Sequence, residues 1–179
     1  MPEQTRAAMA AAQLQAITDE ILADVQRMPR ELTTWIPVEG AWSVIDILCH
    51  IREFVPFWAG ETLRMARRPH EAWGRDHTDT ARLAAVANAA SYQLDDVVTD
   101  IRHVVRRSAA ALKELTDADL SVEAMSKNPR WGLKPASFVL DHLLLEHLEK
   151  HLGQIRRNVA QFGEGRGSPG GRAPSQFRL

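Results

Sequence analysis

Hydrophobic positions recur along this chain at three- and four-residue steps, the period of an amphipathic helix. Leu14, Ile17, Ile21, Val25 and Met28 form the first such stripe, within a helix expected from about Glu3 to Met28 and stopped by Pro29. The stretch PRELTTWIPVEGAW then reads as a connection. A second stripe, Val44, Leu48, Ile51, Val55 and Trp58, follows Ser43. Ser43 with Asp46 three residues later has the form of a capping box, which sets the helix start. Pro56 falls inside this segment and predicts a kink or an early end, because proline removes a backbone donor and crowds the preceding turn. A third helix is expected from about Thr80 to Leu115, on the face carried by Leu83, Val86, Ala90, Leu94, Val97, Ile101, Val104 and Ser108. Thr116 to Lys134 reads as a polar linker, and a fourth helix runs from near Pro135 to about Phe162, with Gly163 as its cap. Alternation of the strand type is nearly absent. Four long amphipathic segments imply an all-α four-helix bundle over residues 1–162.

Composition changes the picture only at the C-terminus. Five of the ten glycines lie in the last 17 residues, with two prolines and three arginines, so 163–179 is expected to be a flexible tail. Charge excludes more than it suggests. Lys plus Arg total 22 against 23 Asp plus Glu, which argues against a dedicated nucleic-acid binder and against a polybasic membrane anchor. No apolar run reaches the length of a membrane span, and the acids of MPEQTRAAMAAAQLQAITDE do not suit a secretory leader, so the cytoplasm is the expected compartment. A single cysteine, Cys49, excludes an intrachain disulfide and a cysteine-based zinc knuckle. It is expected to be a small buried hydrophobe.

Histidine carries the candidate chemistry. His70 and His77 sit among charged loop neighbours and His103 beside Arg102, positions that suit solvated side chains. The last helix is different. Its core stripe reads Leu140, Leu144, His147, His151, Ile155, so two imidazoles occupy consecutive inward positions one turn apart. Burying them unpartnered costs a few kcal/mol each, and a divalent metal would relieve that cost. Such pairs also occur on helix surfaces without metal. His50, beside Ile47, Phe54 and Phe57 on the second helix, could supply a third ligand or be an ordinary core histidine. The run His147-Leu148-Glu149-Lys150-His151 imitates the zincin motif HExxH, but its acid is one position late. Glu149 points about 200° away from His147 and should not serve as a base. His142 lies about 140° off the same face and is excluded as a ligand.

Two segments carry a family resemblance: Trp42-Ser43-Val44-Ile45-Asp46-Ile47-Leu48-Cys49-His50-Ile51, and His147-x-x-x-His151-x-Gly153-Gln154-Ile155. In their order and separation the chain resembles the DinB-like (YfiT-like) superfamily of metal-binding four-helix bundles, over about residues 5 to 162. The resemblance implies an up-down-down-up topology with a metal site inside one end, ligated by His50, His147 and His151. Three protein ligands leave positions open for water or substrate, and imidazole-only ligation suits zinc or nickel, with iron and copper also open. Gln154 shares the His147 face and would orient a ligand or a water, or simply pack.

The resemblance further implies a thiol-dependent S-transferase or isomerase, in which a metal-bound low-molecular-weight thiol such as mycothiol or bacillithiol attacks a small electrophile. The maleylpyruvate isomerases of this group carry a second domain that this sequence does not show. A metal-dependent hydrolase and a non-catalytic metal-binding stress protein stand as alternatives. A hydrolase needs a base near the metal, and no residue recommends itself. A small-molecule substrate is implied, and so is a homodimer, since relatives often pair and five tryptophans (Trp35, Trp42, Trp58, Trp73, Trp131) offer apolar surface.

Overall fold

The computed structural model describes residues 5–75 and 79–167. Helix α1 (Arg6–Arg27) starts where Thr5 accepts a hydrogen bond from the Ala8 backbone, and it ends ahead of Pro29. Its expected stripe is buried from Leu14 through Val25. The connection that follows is not wholly irregular. It holds a short helix α2 (Arg30–Thr34), with Leu32 and Thr33 buried. Five residues are too few to display a full hydrophobic period, so the pattern could not announce it.

Helix α3 (Val44–Arg67) begins on the complete capping box of Ser43 and Asp46. It runs its full length through Pro56 rather than ending early. Pro56 is exposed, so the carbonyl left without a partner lies on the side where water can reach it. Buried Phe54, Val55 and Ala59 hold the helix to the core around that point.

The single third helix expected from Thr80 to Leu115 is instead three pieces: α4 (Thr80–Ala87), a 3₁₀ turn (Ala89–Ser91) and α5 (Leu94–Leu112). Leu83 is 53% exposed, so the upstream half of the expected stripe does not face the core. At the break polar side chains bond backbone carbonyls that also accept from the backbone: Asn88 donates to the Ala84 carbonyl at 3.2 Å and Ser91 to the Asn88 carbonyl at 2.7 Å. Val97, Ile101 and Ser108 are buried as expected, whereas Val104 is half-buried and its neighbour Val105 faces the core instead.

The expected polar linker also contains structure. A capped turn α6 (Asp117–Leu120) precedes an antiparallel ribbon of β1 (Glu123–Met125) and β2 (Leu133–Pro135), with Ala124 opposite Lys134. Strands of three residues carry no readable alternation. Trp73, fully buried, ties the ribbon to the bundle: its indole donates to the Ala124 carbonyl at 2.9 Å and its backbone N–H to that of Met125 at 2.9 Å. Met65, Ala136 and Val139 complete this small second core.

The last long helix starts after Pro135, as expected. It is continuous but not uniform: α7 (Ala136–Phe138) passes into a π-helical stretch (Val139–Leu145) and then α8 (Glu146–Gly167). Gly163 does not cap it. The helix continues to Gly167, inside the stretch expected to be tail, and residues 168–179 lie outside the described residues.

Cross-helix pairs give the directions. Gln13 meets Glu149, and Glu20 and Asp24 meet Arg156, so α1 and α8 run parallel. Arg52 pairs with Asp100, and Ala59 and Leu63 share a groove with Val104, Arg107 and Ala111, so α3 and α5 also run parallel. Met65 packs near Val139 while His50, earlier in α3, lies near His151, so α3 opposes α8. The result is a four-helix bundle with up-down-down-up order. The main core lies along the shared faces of α1, α3, α5 and α8. No helix among the described residues is long and apolar enough to cross a membrane.

Candidate metal centre

Three histidines from two helices meet inside the bundle. His50 stands in the second turn of α3, and His147 and His151 lie one turn apart near the start of α8. One ring nitrogen from each lies within 4.8 Å of the others, the one such cluster of histidine, cysteine or carboxylate groups among the described residues. His50 and His151 are 2% and 7% exposed, and His147 is half-buried. The ring centroids are 5.3 Å apart for His50 and His147, 5.1 Å for His50 and His151, and 4.7 Å for His147 and His151.

The proton positions decide what this cluster can hold. A neutral imidazole carries one N–H and one lone pair. His151 uses its Nδ1 to donate to Gln154 Oε1 at 3.1 Å, so its Nε2 bears the lone pair. The Leu143 carbonyl, one turn back, lies where it favours a proton on the His147 ring. The two Nε2 atoms nevertheless approach to 2.9 Å. At that distance one ring donates to the other, or the two nitrogens turn their lone pairs to a shared cation. His50 Nδ1 is buried with no hydrogen-bond partner, the one such side-chain atom among the described residues.

Protons are a poor filler here. Burial pushes His50 down to about 3, reinforced by the neighbouring His151 and His147 rings and by the charges of Arg82 and Arg75. Burial likewise lowers His147 to about 4, with His151 adding to the effect and the Leu143 bond opposing it. His151 is lowered by burial, partly offset by Gln154. All three rings are therefore neutral near pH 7, the form that ligates a metal. An orphaned nitrogen, three converging ring nitrogens and an imidazole-only donor set fit a divalent cation such as zinc or nickel.

Aromatic rings enclose the cluster. Phe54 stacks on His147 at 4.4 Å, and Trp42 stands edge-on to His50 at 5.1 Å and stacks on His151 at 6.1 Å. Glu53, one turn beyond His50, is committed elsewhere: Arg75 grips both its oxygens at 2.5 and 2.7 Å. Arg75 also reaches Asp79 and lies over the Phe57 ring at 3.9 Å.

The other candidates fall where the spacing put them. His142 is exposed and pairs with Glu146 at 2.7 Å, away from the cluster. Glu149 is exposed and accepts from Gln13. His70 and His103 are exposed, and His77 lies outside the described residues. Cys49 is fully buried, and burial raises its thiol pKa. Sequence reading left out Asn158, 4% exposed, which donates to the Trp42 carbonyl at 3.0 Å. A signal for it existed: an amide seven residues beyond His151 lies on the same helix face, where a side chain must find a partner.

Comparison with known proteins places this geometry in context. A profile of the DinB superfamily matches residues 13–155. Among curated proteins, none matches the chain. Among solved structures, YfiT from Bacillus subtilis, described as a probable metal-dependent hydrolase with an unusual four-helix bundle topology, superposes with a TM-score of 0.73 at 14% identity. That match covers 91% of this chain and 93% of YfiT. A mycothiol-dependent maleylpyruvate isomerase superposes with a TM-score of 0.60 at 15% identity, over 88% of this chain and 60% of the isomerase. A histidine-to-alanine mutant of such an isomerase matches with the same TM-score and coverage, at 14% identity. At these identities the likeness establishes a shared fold, and the activities are those of the matched proteins.

Proposed function

Because the chain belongs to the DinB superfamily, we propose that His50, His147 and His151 hold one divalent cation, zinc or nickel, at which a low-molecular-weight thiol attacks a small electrophile. The observation that carries the reading is the meeting of the His147 and His151 Nε2 atoms at 2.9 Å beside the buried His50 ring, whose Nδ1 has no hydrogen-bond partner. A bound divalent cation supplies thiol activation, since it lowers the pKa of a coordinated thiol. The chain's own residues do the rest. Gln154 sets the His151 tautomer. Phe54 and Trp42 restrict water around the rings. Three protein ligands leave room for an exogenous group.

Thiol chemistry is favoured over water activation by the state of Glu53. A hydrolytic site needs a base beside the metal, and the acid best placed by its position on α3 is locked by Arg75. The mycothiol-dependent isomerase among the structural matches points the same way, although the chain spans only 60% of that protein. YfiT, the better superposition, keeps a hydrolase as the second reading. A small-molecule substrate, a homodimer and a cytoplasmic setting belong to the same proposal.

Elemental analysis of the purified protein beside the His147→Ala variant tests the site. About one equivalent of metal is expected in the former and a large loss in the latter. The metal-loaded protein is then incubated with a panel of thiols and a chromogenic electrophile. Metal-dependent turnover that requires the thiol is expected. Ester or amide cleavage without thiol would replace this reading with the hydrolase, and full metal occupancy with neither activity would leave a binding protein.

A further inference from the structure

Asn158 has no place in the ligand set, yet it is a buried amide on the helix that bears two of the three histidines. Two turns beyond His151, its Nδ2 donates at 3.0 Å to the carbonyl of Trp42. Trp42 immediately precedes Ser43, the cap of α3. The Ser43 backbone N–H and hydroxyl both donate to Asp46 Oδ2, at 2.9 and 2.6 Å. The Trp42 backbone is thus pinned from α8 on one side and tied to the start of α3 on the other. From that position its indole meets His50 at an interplanar angle of 68° and lies nearly parallel to His151, at 14°. Those two rings belong to different helices, and Trp42 touches both. It is half-buried, whereas Phe54 is fully buried, so Trp42 forms the solvent-side wall of the cluster.

We propose that Asn158 and Trp42 are positioning residues for the three-histidine centre: the Asn158 amide fixes the Trp42 backbone, and the Trp42 indole holds the His50 and His151 rings in the orientation in which they share a cation. The inference rests on reading those histidines as a metal site, and it adds a support that reaches the ligands through packing rather than through a direct hydrogen bond. Partners outside the ligand set that orient metal-bound histidines commonly change affinity by about tenfold or more.

Cobalt binding, read by visible absorption and by competition with a chelator, tests it on the full chain. Asn158→Ala and Trp42→Ala are each expected to weaken cobalt binding by about tenfold and to alter the absorption bands, while Trp42→Phe, which keeps an aromatic face, stays within about threefold of the parent. Because the two residues act in series, the double alanine variant should lose little more than either single one. An amide that merely satisfied a loop carbonyl would lower the melting temperature of the metal-free protein and leave the cobalt spectrum and affinity unchanged. That outcome overturns the proposal and leaves the metal site standing. Should Asn158→Ala fail to fold, the contrast between Trp42→Ala and Trp42→Phe decides.

Parent protein that takes up no cobalt would overturn the metal reading itself. Imidazole resonances of the metal-free protein then decide the positioning claim. Those of His50 and His151 should move in Asn158→Ala while His142, on the outer surface, stays put. Unmoved His50 and His151 signals would refute it.

Discussion

At the scale of single residues, the centre is a set of imidazoles held neutral by burial. This has a consequence for stability with a definite sign. In the unfolded chain a histidine titrates near 6.5, whereas in the fold His50 is held down to about 3 and His147 to about 4. Below pH 6.5 the unfolded state takes up protons that the folded state refuses. The stability present above 6.5 is therefore lost progressively as pH falls, and the loss is complete only below about 3. The urea midpoint of metal-free protein is expected to drop between about pH 7 and pH 5, and a His147→Gln variant should show a shallower drop. Equal slopes in the two proteins would contradict the assignment. Metal affinity of the folded protein should hold through that window and fall only toward about pH 4, where protons begin to compete with the cation for the His147 lone pair.

Spacing alone made the His147 and His151 pair legible, since four residues on a helix is one turn. It also removed His142 and Glu149, which the structure places on the outside. His50 was legible as a candidate, but nothing local to α3 could say that it faces α8. Asn158 was overlooked because its partner, the Trp42 carbonyl, lies 116 positions away in the chain.

At the scale of elements, helix ends followed their chemistry closely and helix interiors less so. Thr5, Ser43 and Thr116 cap helices through hydrogen bonds that their neighbouring sequence specifies. The Ser43 cap also anchors the segment that carries Trp42, so its loss should be felt at the centre. Ser43→Ala is expected to cost about 1 kcal/mol of folding stability. Denaturant titration measures that cost, and a change under about 0.3 kcal/mol would mean that the capping box contributes little here. The expected third helix divides into α4, a 3₁₀ turn and α5 at Asn88 and Ser91, whose side chains add bonds to carbonyls of the last turn and favour leaving the helix there. The ribbon of β1 and β2 was invisible beforehand because its pairing is made by tertiary contact with Trp73 rather than by strand alternation. The π-helical stretch from Val139 to Leu145 ends two residues before His147.

At the scale of the whole molecule, the centre joins α3 to α8, two helices far apart in the chain. A cation held there binds the native state and not the unfolded one, so it must stabilise the fold by mass action. With free zinc or nickel at about a thousandfold excess over the dissociation constant, the stabilisation should be about 4 kcal/mol. Thermal melts with metal, and again after chelation, read this directly. A melting temperature indifferent to both would argue against any bound ion, and the His147→Ala variant should be indifferent by design. The antiparallel packing of α3 against the last helix is what brings His50, near the start of α3, against His147 and His151.

The amino-acid sequence by itself determined the helical class, the Ser43 cap and the helix faces of His142, His147 and His151, because these depend on residues within a turn or two of one another. It also carried the family resemblance, in two short segments. Only the tertiary structure decided that His50 meets His147 and His151, that Trp42 and Asn158 join the helices around them, and that Glu53 is locked by Arg75. Those contacts depend on which helices run side by side and in which direction, which is set by packing the whole core and is not encoded in any local period.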